Sequence, residues 1–218
     1  MTPELESSQR PVPRGRHAPP LEVRLEVQKH RLFGAAATVF SSAGYADASA
    51  EAISRQAGMS KATFYEHFAN KEECLIALFQ YASATLVEEL VAASRGAERA
   101  FEERHSAGLR AILKAVEDNP AMAQAILVET VGAGPRLAEL RITALNGFAQ
   151  VMYEQTVRAA ELTGGPAFAS PDEAFAIVGA TFELVSRQLR TGQPARVTDL
   201  QPLVERLING LLMQPPHA

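Results

Sequence analysis

The stretch Ser49–Phe68, SAEAISRQAGMSKATFYEHF, decides how the rest of the chain is read. Ser49 can cap a first helix whose small apolar face is Ala52, Ile53 and Ala57. Gly58 ends that helix, because glycine takes the left-handed C-cap conformation at little steric cost. Ser60 restarts the chain as the N-cap of a second helix, its hydroxyl accepting from an orphan backbone N–H. Two short helices joined by the three-residue turn Gly58-Met59-Ser60 form either a plain αα-corner or a helix-turn-helix. In the second case the leading residues of the second helix can enter a DNA major groove.

The contents of the second helix favour the helix-turn-helix. Phe64 and Phe68 are four residues apart and share the face that buries against the first helix. Lys61, Ala62 and Thr63 remain at the leading end, with Tyr65 and His67 on other faces. A small, polar and basic tip with flanking Tyr, Lys and His suits contact with bases and phosphates.

Together with their flanks these residues resemble the N-terminal domain of TetR/AcrR-type transcriptional regulators. The likeness runs from Arg31-Leu32-Phe33-Gly34-Ala35-Ala36 through Phe40 and Gly44-Tyr45 to Ile53 and Ala57-Gly58-Met59-Ser60. It ends with Thr63-Phe64-Tyr65-Glu66-His67-Phe68 and Lys71-Glu72, about 40 residues in seven ordered blocks. Two positions depart from it: Ala48 stands where the family usually has Thr, and Ser54 where it usually has Ala. The resemblance implies an all-α, nine-helix architecture. An N-terminal three-helix domain would read DNA, and a C-terminal helical domain would bind a ligand and dimerise. It further implies a homodimer on a palindromic double-stranded operator, most often a repressor released by a small-molecule effector that moves the fourth helix. The residues placed on DNA by motif and resemblance are Tyr45, Ser49, Ser60, Lys61, Ala62, Thr63, Tyr65, His67 and Lys71.

Size and charge permit this reading without demanding it. The chain has 218 residues, 47% of them apolar, enough to bury a sizeable core. Its net charge of −4 disfavours a polyanionic partner, but the charge is unevenly placed. Residues 1–80 hold nine basic and nine acidic side chains, residues 81–218 twelve and sixteen. A neutral first part still has to gather its cations on one face to meet phosphates. No apolar run reaches the roughly 18 residues of a membrane span, and no apolar leader opens the chain, so a cytoplasmic protein is expected. The single cysteine, Cys74, fits a reducing compartment and reads as a small buried hydrophobe, with redox sensing as the alternative.

Residues 1–20 carry five of the 13 prolines, with Arg10, Arg14, Arg16 and His17, and read as a disordered basic arm. It is either a solvated tail or an arm that follows DNA into the minor groove. Residues 21–80 then form the reader and 81–218 the second domain. Helices are expected over about 21–42, with Gly44 as C-cap, and from Lys71 to about 93 after the cap Asn70. Further helices follow over about 98–117, 121–131 and 135–162. Tyr45 is either packed or turned hydroxyl-out toward phosphate. Lys71 lies in a first helical turn, where a cation opposes the helix dipole unless an anion shares the site. It is read as clamping a DNA phosphate, with a solvated lysine as the alternative.

Ser170-Pro171-Asp172-Glu173 combines an N-cap, a proline at the first helical position and a capping-box Glu, and starts a helix ending near Arg190. A last helix begins near Asp199. Both carry apolar arcs wide enough to face two neighbours, which points to a dimer seam of ~1,000 Å², at the threshold for a specific interface. Alternatively, both only close the monomer core.

A pocket is expected among the fifth to eighth helices, with Met122, Ile126, Phe148, Met152 and Phe182 as apolar lining or as ordinary core. Arg141, Asn146 and Glu183 are candidates to orient a polar group there. A rival reading, an all-α enzyme, finds no Gly-rich phosphate loop and no metal-spaced Cys/His set. The five histidines, His17, His30, His67, His105 and His217, are scattered. No catalytic residue, metal or cofactor is therefore expected. A helical scaffold without DNA binding is disfavoured by Lys61, Thr63, Tyr65, His67 and Lys71.

Overall fold

The computed structural model describes residues 20–94 and 101–212. The basic arm and the helix break expected at Gly96 lie outside these residues. Nine α-helices run through the described chain: α1 Leu21–Asp47, α2 Ala50–Gln56, α3 Lys61–His67, α4 Lys71–Ser94, α5 Phe101–Asp118, α6 Pro120–Leu127, α7 Pro135–Thr163, α8 Pro171–Thr191 and α9 Gln201–Leu212. The fold is all-α, with no strand among the described residues. α1 packs on α2, α4 and α6, α4 lies along α5, and α7 lies along α8.

The starts and stops follow local chemistry. Ser49, Ser60 and Ser170 each cap a helix, accepting from the backbone N–H of Ala52, Thr63 and Glu173. Gly58 (φ 63°) turns the chain between α2 and α3, and Gly192 (φ 67°) ends α8. Three stretches depart from expectation. α1 is broken at Gly44 (φ 78°, ψ 160°) and then makes one further turn to Asp47. α6 stops at Leu127 instead of near Val131. The Thr130 hydroxyl and the Arg141 guanidinium donate to the Ile126 carbonyl, and Arg141 also reaches that of Leu127, so the last turn is closed by side chains. Finally, Val197–Leu200 is a 3₁₀ turn leading into α9.

One expectation needs correction. Residues 71–92 of α4 are, by length and composition, long and apolar enough to cross a membrane. In the fold the helix sends Cys74, Leu75, Leu78 and Phe79 into the protein core. Its first turn carries Glu72 and Glu73, both held by Arg136 of α7 at 3.7 and 2.6 Å.

Candidate nucleic-acid interface

α3 is held from behind by aromatic packing. Phe64 is fully buried, and its ring lies 5.5 Å from that of Phe68, which in turn lies 5.9 Å from Phe33 of α1. The turn before it is closed by Met59 N–H donating to the Ser54 carbonyl at 2.9 Å. Arg31 of α1 donates to the Ala57 carbonyl at 2.8 Å and so caps the end of α2. α1, α2 and α3 are thereby locked as one body, and what α3 exposes is set by its helical phase.

Lys61, Ala62 and Tyr65 are exposed on the outer face of α3, with Thr63 half-buried beside them. The Lys61 ammonium lies 6.0 Å from the centre of the Tyr65 ring, a cation over an aromatic face. The Ser60 and Thr63 hydroxyls are 3.0 Å apart, which orients both at the helix tip. Ser49, at the start of α2, is also exposed, and its hydroxyl already accepts from Ala52 N–H at 3.1 Å. Together these groups form a surface with one cation, an aromatic edge and several hydroxyls. Arg55, exposed in the last turn of α2, adds a second cation that the sequence reading did not single out.

Three of the expected DNA-contacting residues are placed differently. Lys71 caps α1: its ammonium donates to the carbonyls of Tyr45, Ala46 and Ala48 at 2.8, 2.8 and 3.0 Å. A lysine has three donors, so none remains for a phosphate in this arrangement. In this arrangement the cation offsets the dipole of α1 at its C-terminus, and a phosphate contact would need it to leave one of these carbonyls. Tyr45 is packed, its ring 6.0 Å from Phe40 and 4.8 Å from the Lys71 ammonium. Burial first, and then the charge of Glu72, raise its phenol pKa above the ordinary value, so the hydroxyl keeps its proton. His67 is half-buried, with its Nε2 3.2 Å from the Gln28 side-chain oxygen of α1. Burial is the largest cause that lowers its pKa, so the ring stays neutral at neutral pH.

Behind this surface the helices from α4 to α9 surround a cavity that is open to solvent at one side. α4, α5, α7, α8 and α9 all contribute walls, among them Leu86, Leu109, Phe148, Met152, Phe182 and Val204. The Phe148 and Phe182 rings lie 5.7 Å apart. The polar side chains of the wall are His105, Gln155 and Thr181, and none of the lining residues is Lys, Arg, Asp or Glu. Of the five residues named from the sequence, Phe148, Met152 and Phe182 stand on this wall. Ile126 is buried in the core and Met122 is half-buried against it. Neither lines the cavity; the wall position of α6 belongs to Leu127, about 100° further round the helix. Arg141 ties the end of α6 to α7, burial lowering its pKa against the opposing pull of Glu183. Asn146 is exposed, and Glu183 pairs with Arg190 at 2.6 Å. These three residues do not line the cavity.

The comparisons with known proteins divide along the same line. Residues 32–78 match the model of bacterial regulatory proteins of the tetR family. The HTH-type transcriptional regulator YxbF of Bacillus subtilis (strain 168) is 36% identical over 76 residues, 35% of this chain and 20% of that relative's length. Likeness in fold extends much further. FadR from Bacillus halodurans, described as a fatty acid degradation regulator, superposes with a TM-score of 0.76 at 22% identity, over 86% of this chain and 97% of that one. FadR from Bacillus subtilis, solved in complex with stearoyl-CoA, gives 0.72 at 19% identity, over 83% and 98%. Residues 32–78 thus carry a helix-turn-helix of the tetR family, and the described chain shares the fold of these solved structures.

Proposed function

We propose that this protein is a ligand-responsive repressor that binds a palindromic DNA operator as a homodimer and is released by an apolar effector. The observation that carries the DNA-binding part is the phase of α3. Phe64 and Phe68 anchor one side in the core while Lys61, Ala62 and Tyr65 stand free on the other. Ser49, Ser60, Thr63 and Arg55 flank that surface and supply hydroxyl and cationic contacts to the backbone. Tyr45, Lys71 and His67 support it from behind.

Dimerisation is assigned to α8 and α9. Val204, Ile208 and Leu212 of α9 are buried in the monomer, while Leu207 stays 38% exposed and Leu203 and Leu211 are half-buried. Two copies related by a two-fold axis would place two α3 helices on one face of a duplex, reading half-sites about 34–36 Å apart.

The effector class follows from the cavity wall. Burying an unpaired charge there would cost several kcal/mol, since no ionised Lys, Arg, Asp or Glu lines it. The buried part of the effector is therefore an uncharged, largely aliphatic group, and any charged head stays at the mouth. The stearoyl-CoA complex of the Bacillus subtilis FadR is compatible with this class.

Selection from a random duplex pool with the full-length protein tests the reading. An inverted repeat with half-sites about one DNA turn apart is expected, bound at two protomers per duplex. Stearoyl-CoA should then weaken that binding about tenfold or more, within the usual range of allosteric coupling. A protein that enriches no sequence overturns the regulator reading. Enrichment with no response to stearoyl-CoA removes the long-chain effector alone.

A further inference from the structure

The segment that joins α1 to the reader is held by two side chains from outside it. At Gly44 the backbone leaves helical geometry with φ 78°, a conformation that favours glycine. The next amide, Tyr45 N–H, donates to Glu129 Oε2 at 3.0 Å, just beyond α6. A Cβ at position 44 would stand 3.5 Å from that same oxygen, so the carboxylate lies directly against the break. On the other side, Lys71 of α4 gathers the carbonyls of Tyr45, Ala46 and Ala48. Residue 48 is followed at once by Ser49, the cap of α2. Residues 44–48 are thus a short bracket pinned at its N–H end by Glu129 and at its carbonyl end by Lys71.

Glu129 is itself tied to the cavity. Its Oε1 accepts from the Gln124 side chain at 3.2 Å, and its own N–H donates to the Gln124 carbonyl at 3.1 Å. Two residues earlier, Leu127 lines the cavity with its side chain. The Leu127 carbonyl accepts from Ser186 of α8 and from Arg141 of α7, each at 3.3 Å. A group that fills the cavity therefore presses on a residue two positions from the carboxylate that holds the bracket. A hydrogen bond fails over a few tenths of an ångström, so a small displacement of this turn switches the contact instead of stretching it.

We infer that Glu129 is the positioning residue through which the state of the cavity reaches α2 and α3, by making or releasing its bond to Tyr45 N–H. This rests on the regulator reading above. Coupling free energy is reciprocal, so bound DNA must also be felt at the end of α6, whatever the effector is.

Hydrogen exchange of the full-length protein, with and without the selected duplex, tests this. In the wild-type protein the duplex slows exchange in α3 and also over residues 122–132. In Glu129→Ala the first effect remains and the second is lost. Without DNA, the Tyr45 amide of that variant exchanges about tenfold faster or more, as expected for losing a bond to a charged acceptor. Glu129→Gln keeps an acceptor oxygen at the same reach and restores the response. Glu129→Asp keeps the charge but withdraws the oxygens by one methylene, so it must behave like Glu129→Ala. This second variant decides the matter if Glu129→Ala does not fold. Persistence of the response over 122–132 in both Ala and Asp variants overturns the inference. So does its absence from the wild-type protein while α3 is protected. If no duplex is selected at all, the regulator reading itself falls, a result distinct from either of these.

Discussion

Residues 32–78 and residues 101–212 use their apolar side chains in opposite ways. In the first region Phe33, Phe40, Phe64 and Phe68 interlock with Leu32 and Ile53 into a solid, buried wedge. In the second, comparable side chains are spread over five helices around an open space, and the Phe148 and Phe182 rings meet at its wall tilted by 52°. The difference matches the two tasks proposed above. A reader must hold α3 rigidly against a duplex of fixed geometry, and dense packing supplies that stiffness. A sensor must leave volume for a guest, and it leaves its own dispersion contacts unmade until the guest arrives.

Truncating one aromatic in each region gives the sharpest test of that contrast. Phe64→Ala removes a fully buried ring whose neighbours cannot close the gap, and should cost about 3–5 kcal/mol of stability. Phe182→Ala removes a half-buried ring that already faces empty space, and should cost about 1–2 kcal/mol. Urea unfolding of both variants at equal pH measures the difference. Equal losses would mean that the cavity wall is packed as tightly as the reader, and the contrast would be lost.

A smaller effect separates the two roles considered for Lys71. Lys71→Met keeps the aliphatic stem and removes three charge-assisted bonds to the end of α1. Stability should fall by about 2 kcal/mol, since such bonds are worth roughly 1.5–3 each but are not additive. DNA affinity should fall with it, while its dependence on salt stays unchanged. A slope of log affinity against log salt reduced by about 0.9 would instead mark Lys71 as a phosphate contact.

The caps of α2, α3 and α8 were legible because each is a bond across three residues, written in adjacent letters. The helix-turn-helix was legible for the same reason: its turn glycine, its caps and its Phe64/Phe68 face all lie within one short window. Lys71 and His67 were not, because their partners come from helices distant in sequence. Tyr45 and Ala48 lie more than 20 residues before Lys71, and Gln28 lies 39 before His67. α6 was drawn too long because its end is closed by Arg141 of α7, which no local pattern reveals. The cavity lining was half legible. Apolar residues at helical spacing mark a face that turns inward, but the same spacing serves a void and a packed core. Phe148, Met152 and Phe182 therefore looked no different from Ile126. Glu129 was invisible on the same grounds, a carboxylate whose partner is an amide at a glycine break 84 residues earlier in the chain.

The smallest expected effect is a pH dependence, and it bears on how tightly the reader is joined to α1. Burial lowers the pKa of His67 below its ordinary value of 6.5, with Lys29 acting in the same direction and Glu66 and Glu26 against it. Above pH 6.5 the ring is neutral in both the folded and the unfolded chain, and its contribution to stability is fully present. As pH falls below 6.5 the unfolded chain takes up the proton first, so the folded state loses stability until its own, lower pKa is passed. His67→Gln cannot titrate but can still bond Gln28. Between pH 7.5 and 5.5 the wild-type protein should therefore lose more stability than this variant, by urea unfolding at each pH. If protonation instead acts through charge at the edge of the α3 surface, DNA binding should move the opposite way over the same range, because added positive charge strengthens attraction to the duplex. Parallel changes in both quantities would mean that the ring is coupled to the α1–α3 joint and not to the duplex, and the contrast between rigid reader and open sensor would then extend to their protons.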